Sequence, residues 1–115
     1  MKKIAIVACL QANEVCAGCG CLNAFQDRTQ NFERYVGEEV RLAAFMRCSH
    51  CIRKEGDSLA DAGFVEKLER MASEGVEIVH IGVCAGRNAE SACPGMLKMI
   101  EAFEDKGMKT VWGTH

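Results

Sequence analysis

The chain has no excess of charge of either sign, no long apolar run and no glycine motif for cradling phosphate. Each absence narrows what it can do. Lys and Arg number 14 against 16 Asp and Glu, a net charge of −2. That balance argues for neither nucleic acid nor an anionic membrane as a partner. No stretch approaches the roughly 20 apolar residues of a membrane-spanning helix. Neither G-x-G-x-x-G nor a P-loop is present, so nucleotide binding has little support. Linkers, internal repeats and low-complexity stretches are also missing, and the length of 115 residues fits one domain over residues 1–115.

What the chain has is cysteine. There are 8 in 115 residues: Cys9, Cys16, Cys19, Cys21, Cys48, Cys51, Cys84 and Cys93. The start, Met1-Lys2-Lys3 followed by Ile4-Ala5-Ile6-Val7-Ala8-Cys9, looks superficially like a secretion signal. Only five apolar residues precede Cys9, short of the 7 or so that a signal needs. A buried first strand is the better reading, and a cytoplasmic, reducing location is expected. There a disulfide framework explains the cysteines less well than metal or redox chemistry.

Strands are expected at Lys3–Cys9, Glu39–Met46, Val76–Val83 and Lys109–Trp112. In the second, Val40, Leu42 and Ala44 alternate against Arg41. Between the strands lie helical patterns. Leu22, Phe25, Thr29, Phe32 and Val36 form one, with a break near Thr29–Asn31. Leu59, Phe64, Val65, Leu68, Met71 and Ala72 form a second, opened by Asp57-Ser58 and ended by Gly75. A third opens at Cys93-Pro94, carries Leu97, Ile100, Ala102 and Phe103, and ends at Gly107. The lone proline suits a first helical turn, where its missing N–H costs nothing. Strands alternating with helices imply right-handed crossovers and a parallel sheet covered on both faces. The expectation is an α/β three-layer sandwich, with a four-stranded parallel sheet of order 2-1-3-4, flavodoxin-like.

That topology gathers the thiols. In an open parallel sheet the strand C-termini share one edge, where ligands bind at the topological switch point. Cys9 ends strand 1 and Cys84 ends strand 3. Cys48 and Cys51 follow strand 2, Cys16, Cys19 and Cys21 follow strand 1, and Cys93 opens the last helix. Helix starts favour thiolate, which bears on Cys21 and Cys93. Cys48-Ser49-His50-Cys51 is a CxxC pair that can place two sulfurs on one ion, with His50 as a further candidate ligand. Together with Cys16-x2-Cys19-x-Cys21 it points to a sulfur-rich metal site for zinc or an iron–sulfur cluster, without deciding which. The surplus of thiols over the four that saturate one zinc favours, slightly, a cluster or a second ion.

At these residues the chain resembles the CGGC domain family, small cysteine-rich proteins of bacteria and archaea. The resemblance runs through Lys3-Ile4-Ala5-Ile6-Val7 into Cys9, Cys19-Gly20-Cys21, Phe32-Glu33-Arg34-Tyr35, the strand ending at Cys48, Ile81-Gly82-Val83-Cys84 and Cys93-Pro94. It implies metal binding, often of zinc, and no particular reaction. The motif that names the family becomes Cys48-Ser49-His50-Cys51 here, without the two glycines.

Other readings stay open. Cys9 and Cys84 could be buried filler, as free cysteine often is. Cys93 could simply cap its helix, His80 reads as a satisfied core residue, and His115 as a chain end. Arg87 reads as a surface residue. Cys48 and Cys51 could form a thiol–disulfide redox pair, with Cys48 attacking. Against this, Ile52-Arg53-Lys54-Glu55-Gly56 is a poor start for the helix such a pair usually opens. No cysteine has arginine six residues on, which disfavours the loop of small tyrosine phosphatases and arsenate reductases. A module for a small anionic molecule with structural cysteines is the third reading. Trp112 is thin support for a dimer interface, so monomer and homodimer both remain.

Overall fold

The computed structural model describes residues 1–48 and 62–115. The strands are β1 (Lys2–Ala8), β2 (Val40–Arg47), β3 (Ile78–Ile81) and β4 (Lys109–Trp112). The α-helices are α1 (Cys19–Asp27), α2 (Ala62–Glu74) and α3 (Pro94–Asp105). All strand pairs are parallel and the sheet order is β2-β1-β3-β4, the 2-1-3-4 arrangement expected from the alternation of elements. β1 is central. Its Ile4, Ala5, Ile6 and Val7 are fully buried, as its run of apolar residues requires of a strand covered on both faces.

The two faces are covered by different elements. Ala5, Val7, Val79 and Ile81 meet Phe64, Leu68 and Met71 of α2 and Met96, Met99 and Phe103 of α3. The Phe64 and Phe103 rings pack edge-on at 5.7 Å. On the other face Ile4 and Ile6 meet Cys21 and Ala24 of α1, together with Phe32 and Tyr35. Each Val, Leu, Ile, Phe or Met among them contributes on the order of 1.5–3 kcal/mol when fully buried. Together these layers make the three-layer sandwich.

The expected pleat of β2 is corrected. Val40, Leu42 and Ala44 do not share a face. Ile4 pairs with Leu42 and the next residue, Ala5, pairs with Ala44. Ala43 is therefore an extra residue, a β-bulge that shifts the side-chain alternation by one. Ala43, Ala44 and Cys48 pack against the α2/α3 core, with Met46 inside it, while Phe45 joins Val40 and Leu42 on the α1 face.

Boundaries move by small amounts elsewhere. β3 is shorter than the run Val76–Val83, because Val83–Ala85 turns as a three-ten helix after Gly82. The first helical pattern does break. Arg28 and Gln30 both take positive φ, 56° and 53°, and Gln30–Tyr35 continues as a separate three-ten helix. Val36, placed on the apolar stripe by its spacing, is instead 65% exposed, since the break rotates it outward. α2 and α3 are followed by Gly75 and Gly107 with positive φ, as expected. The start of α2 proposed at Asp57-Ser58 lies outside the described residues.

His80 is a core residue. It is fully buried on β3 and its ring packs on Phe32 with centroids 4.5 Å apart. Nδ1 lies 2.9 Å from the Gly113 carbonyl oxygen and Nε2 lies 2.7 Å from the Tyr35 hydroxyl. A carbonyl can only accept, so Nδ1 carries the proton and Nε2 accepts from Tyr35. Burial pushes the His80 pKa below its ordinary value, and the bond to Gly113 opposes this only in part. Burial likewise raises the Tyr35 pKa. The pair ties β3 to the three-ten helix on one side and to the segment after β4 on the other.

Candidate functional site

Among the described residues, the C-terminal edge of the sheet carries a crevice on each face of β1. The larger, about 500 Å³, is lined by Cys9, Cys48, Cys84 and Cys93, with Arg87 and Ser91 at its rim. Cys9 follows β1 directly and precedes the three-ten helix Leu10–Glu14. Cys48 follows β2 and, because of the bulge, packs on the same face as Cys9. Cys84 sits in the turn after β3, and its sulfur accepts the Cys9 N–H at 3.2 Å. Cys93 is the N-cap of α3, and its sulfur accepts the Met96 N–H at 3.4 Å.

The loop joining Cys84 to Cys93 is held by its own polar groups. The Asn88 side-chain oxygen accepts from the N–H groups of Glu90 and Ser91 at 3.0 and 2.9 Å. The Ser91 hydroxyl accepts from Arg87 and Asn88 at 2.9 and 3.2 Å. Such side-chain to backbone bonds make a compact turn. Gly86 closes it at φ 141°, where an added Cβ would lie 2.5 Å from the Ala92 Cα. Only glycine allows the two arms of the loop to approach so closely.

The smaller crevice, about 210 Å³, is lined by Cys16, Cys21, Arg47, Phe45, His115 and the far side of Cys84, among others. Cys84 thus borders both crevices. Cys21 is buried and its sulfur lies 3.0 Å from the Thr114 hydroxyl. Cys16 is exposed and accepts the Gly18 N–H at 3.3 Å. Cys19 is exposed at the first position of α1 and lines neither of these crevices. His115 packs over that first helical turn, its Nε2 lying 2.9 Å from where a Cβ on Gly20 would be.

The electrostatics refine the sequence reading. Burial pushes the Cys48 thiol above its ordinary value, the neighbouring Cys9 and Cys93 add to the rise, and a backbone hydrogen bond from Leu10 opposes it. The Cys21 thiol is also raised, first by burial, with the Thr114 bond opposing. A helix start was expected to favour thiolate at Cys21, and loss of solvation outweighs it there. The seven described cysteines are all free. Among the described residues, no three Cys, His, Asp or Glu side chains are grouped closely enough to hold one metal ion. Cys51 and His50 lie outside the described residues.

The CGGC domain family model matches residues 3–115, a span that includes every strand but the first residue of β1, and both crevices. The chain belongs to the CGGC domain family. No curated protein and no solved structure matches it. Among the described residues of this CGGC domain, no helix is long and apolar enough to cross a membrane. Sequence reasoning missed Arg47 and Thr114 at the smaller crevice. A basic residue directly before a strand-ending cysteine was the available signal for Arg47. Thr114 had none, because its partner Cys21 is 93 residues away in sequence.

Proposed function

We propose that this CGGC domain binds a metal, as a zinc ion or an iron–sulfur cluster, through thiolates of the larger crevice. Four cysteines lining one hollow at the switch point between β1 and β3 carry the reading. Four thiolates are the donor set of tetrahedral zinc and of common clusters. Cys9, Cys48, Cys84 and Cys93 are the ligands on this reading, with Cys51 or His50 of the CxxC segment available to exchange with one of them. Cys16, Cys19 and Cys21 are assigned no part in this first site.

The sulfurs are not drawn together among the described residues, so binding must close the crevice around the metal. Cys48, with its raised pKa, is a thiol before binding and loses its proton on binding, which makes affinity pH-dependent. The same shift works against Cys48 as the attacking thiolate of a redox pair. A reducing cytoplasmic setting, with a redox or regulatory role, fits free thiols of this kind.

The test is metal and acid-labile sulfide content of anaerobically purified protein. The Cys48→Ser, Cys51→Ser double variant should lose nearly all the metal, and Cys93→Ser most of it. Serine at position 93 keeps a side chain that can cap α3, so that loss would report ligation and not a frayed helix. Cys16→Ser should keep its metal. Sulfide separates cluster from zinc. Metal-free wild type, or metal retained in the double variant, would sink the proposal.

A further inference from the structure

The smaller crevice has a charge pattern that the metal reading does not use. Arg47 enters it beside Phe45, over whose ring the guanidinium lies at 5.7 Å. One terminal nitrogen donates to the Cys16 carbonyl at 3.3 Å. Its Nε is buried and has no hydrogen-bond partner among the described residues. A buried donor left unpaired costs about 1–3 kcal/mol, and more when it is charged. Such an atom calls for an explanation, and a bound water or ion is one of them. Among the described residues, no Asp or Glu lines the crevice, whereas Arg47 and the His115 imidazole both do.

A second donor set faces the same space. The N-cap Gly18 and Cys21 of the first turn of α1 line the crevice; the Gly18 N–H is taken by the Cys16 sulfur, and Gly18, having no side chain, caps none of the N–H groups of the turn itself. Unpaired N–H groups of a helix start favour negative charge. At about 210 Å³ the space equals roughly seven waters at about 30 Å³ each. It falls below the roughly 300–1,000 Å³ of sites for drug-sized ligands.

We infer that the crevice between Arg47, His115 and the first turn of α1 binds a small oxyanion of the size of phosphate or acetate. Arg47 supplies the charge and a directional N–H. Phe45 holds the guanidinium in place, and the start of α1 supplies further donors. The occupant lies across Cys84 from the larger crevice. The inference is independent of the metal reading, since it uses none of that site's other thiols.

Amide chemical shifts of the full chain, followed while inorganic phosphate or acetate is added, test it. Saturating shifts at residues 18–21 and at His115 are expected with at least one of the two anions. The better binder shows whether the site prefers a tetrahedral or a planar oxyanion. Arg47→Gln should weaken binding roughly tenfold or more, as expected for loss of a charge-assisted hydrogen bond. Gly20→Ala should also weaken it, because the new methyl displaces His115 while helping the helix. Unchanged affinity in both variants, or no saturable shift with either anion, overturns the inference. So does an equal loss in Arg87→Gln, which would move the anion to the larger crevice.

Discussion

His80→Ala is expected to lower the unfolding free energy by roughly 3–5 kcal/mol, the range for removing a large, fully buried ring. The structure gives three reasons. The ring fills space against Phe32 in the core on the α1 face. Its removal leaves the Tyr35 hydroxyl and the Gly113 carbonyl without their partner. It also removes one of the ties between the segment after β4 and β3, leaving the Gly113 N–H to Ile81 carbonyl bond of 2.7 Å. Small domains have only about 5–15 kcal/mol in total, so much of the fold's stability rests on this one side chain. Urea unfolding of the two proteins measures it, and a cost under about 1 kcal/mol would show the pair to be incidental.

The same residue sets a sign for acid. The unfolded chain's histidine titrates near pH 6.5, whereas in the folded protein burial keeps the His80 pKa lower. Between those two values the unfolded state takes up a proton that the folded state refuses. Stability therefore falls as pH drops below about 6.5 and levels off under the folded-state pKa. His80→Phe keeps much of the volume, loses the two hydrogen bonds and should remove this part of the pH dependence. An unchanged slope in that variant would place the acid sensitivity elsewhere.

Gly86→Ala is the second large effect, with an expected cost of roughly 2–5 kcal/mol from strained φ and forced repacking. The methyl would meet the Ala92 Cα at 2.5 Å and the Ala92 nitrogen at 2.9 Å. Backbone cannot swing aside as the end of a side chain can, so the loop between Cys84 and Cys93 has to open. Two readouts follow from one change. Urea unfolding reports the strain, and labelling with a thiol reagent should find Cys93, partly buried in the wild type, reacting faster. On the metal reading, metal content also falls although no sulfur has been removed. A variant within about 0.5 kcal/mol of wild type, with Cys93 labelled at the original rate, would mean the loop relaxes freely and does not position these thiols.

The sheet was legible in the sequence, because β1 and β3 are apolar runs between helical patterns and the rules of connection leave few topologies. The edge location of the described cysteines followed from the same rules. Their division between two crevices did not. It depends on which way each side chain points, and the bulge at Ala43 hides among small residues: Ala43 and Ala44 look alike, so nothing marks which is the extra one. The helix break had the opposite character. Its place near residue 29 could be read, but the exposure of Val36 could not, since it depends on the positive φ of Arg28 and Gln30. His80 was legible as core from its apolar neighbours in β3, while its partner Tyr35 stands 45 residues away and no local pattern links them.

The extra residue in β2 also works as a sorting device. In an unbroken pleat, residues 44 to 48 would each turn to the opposite face. Cys48 would then point toward the α1 side and Arg47 toward the α2/α3 side, so sulfur and cation would trade compartments. Ala43 thereby assigns soft-donor chemistry to one side of the sheet and positive charge to the other. Deleting Ala43 would straighten the strand and leave both assignments in place, because Ala44 would still pair with Ala5; only forcing every residue from 42 to 48 into an unbroken pleat would exchange them.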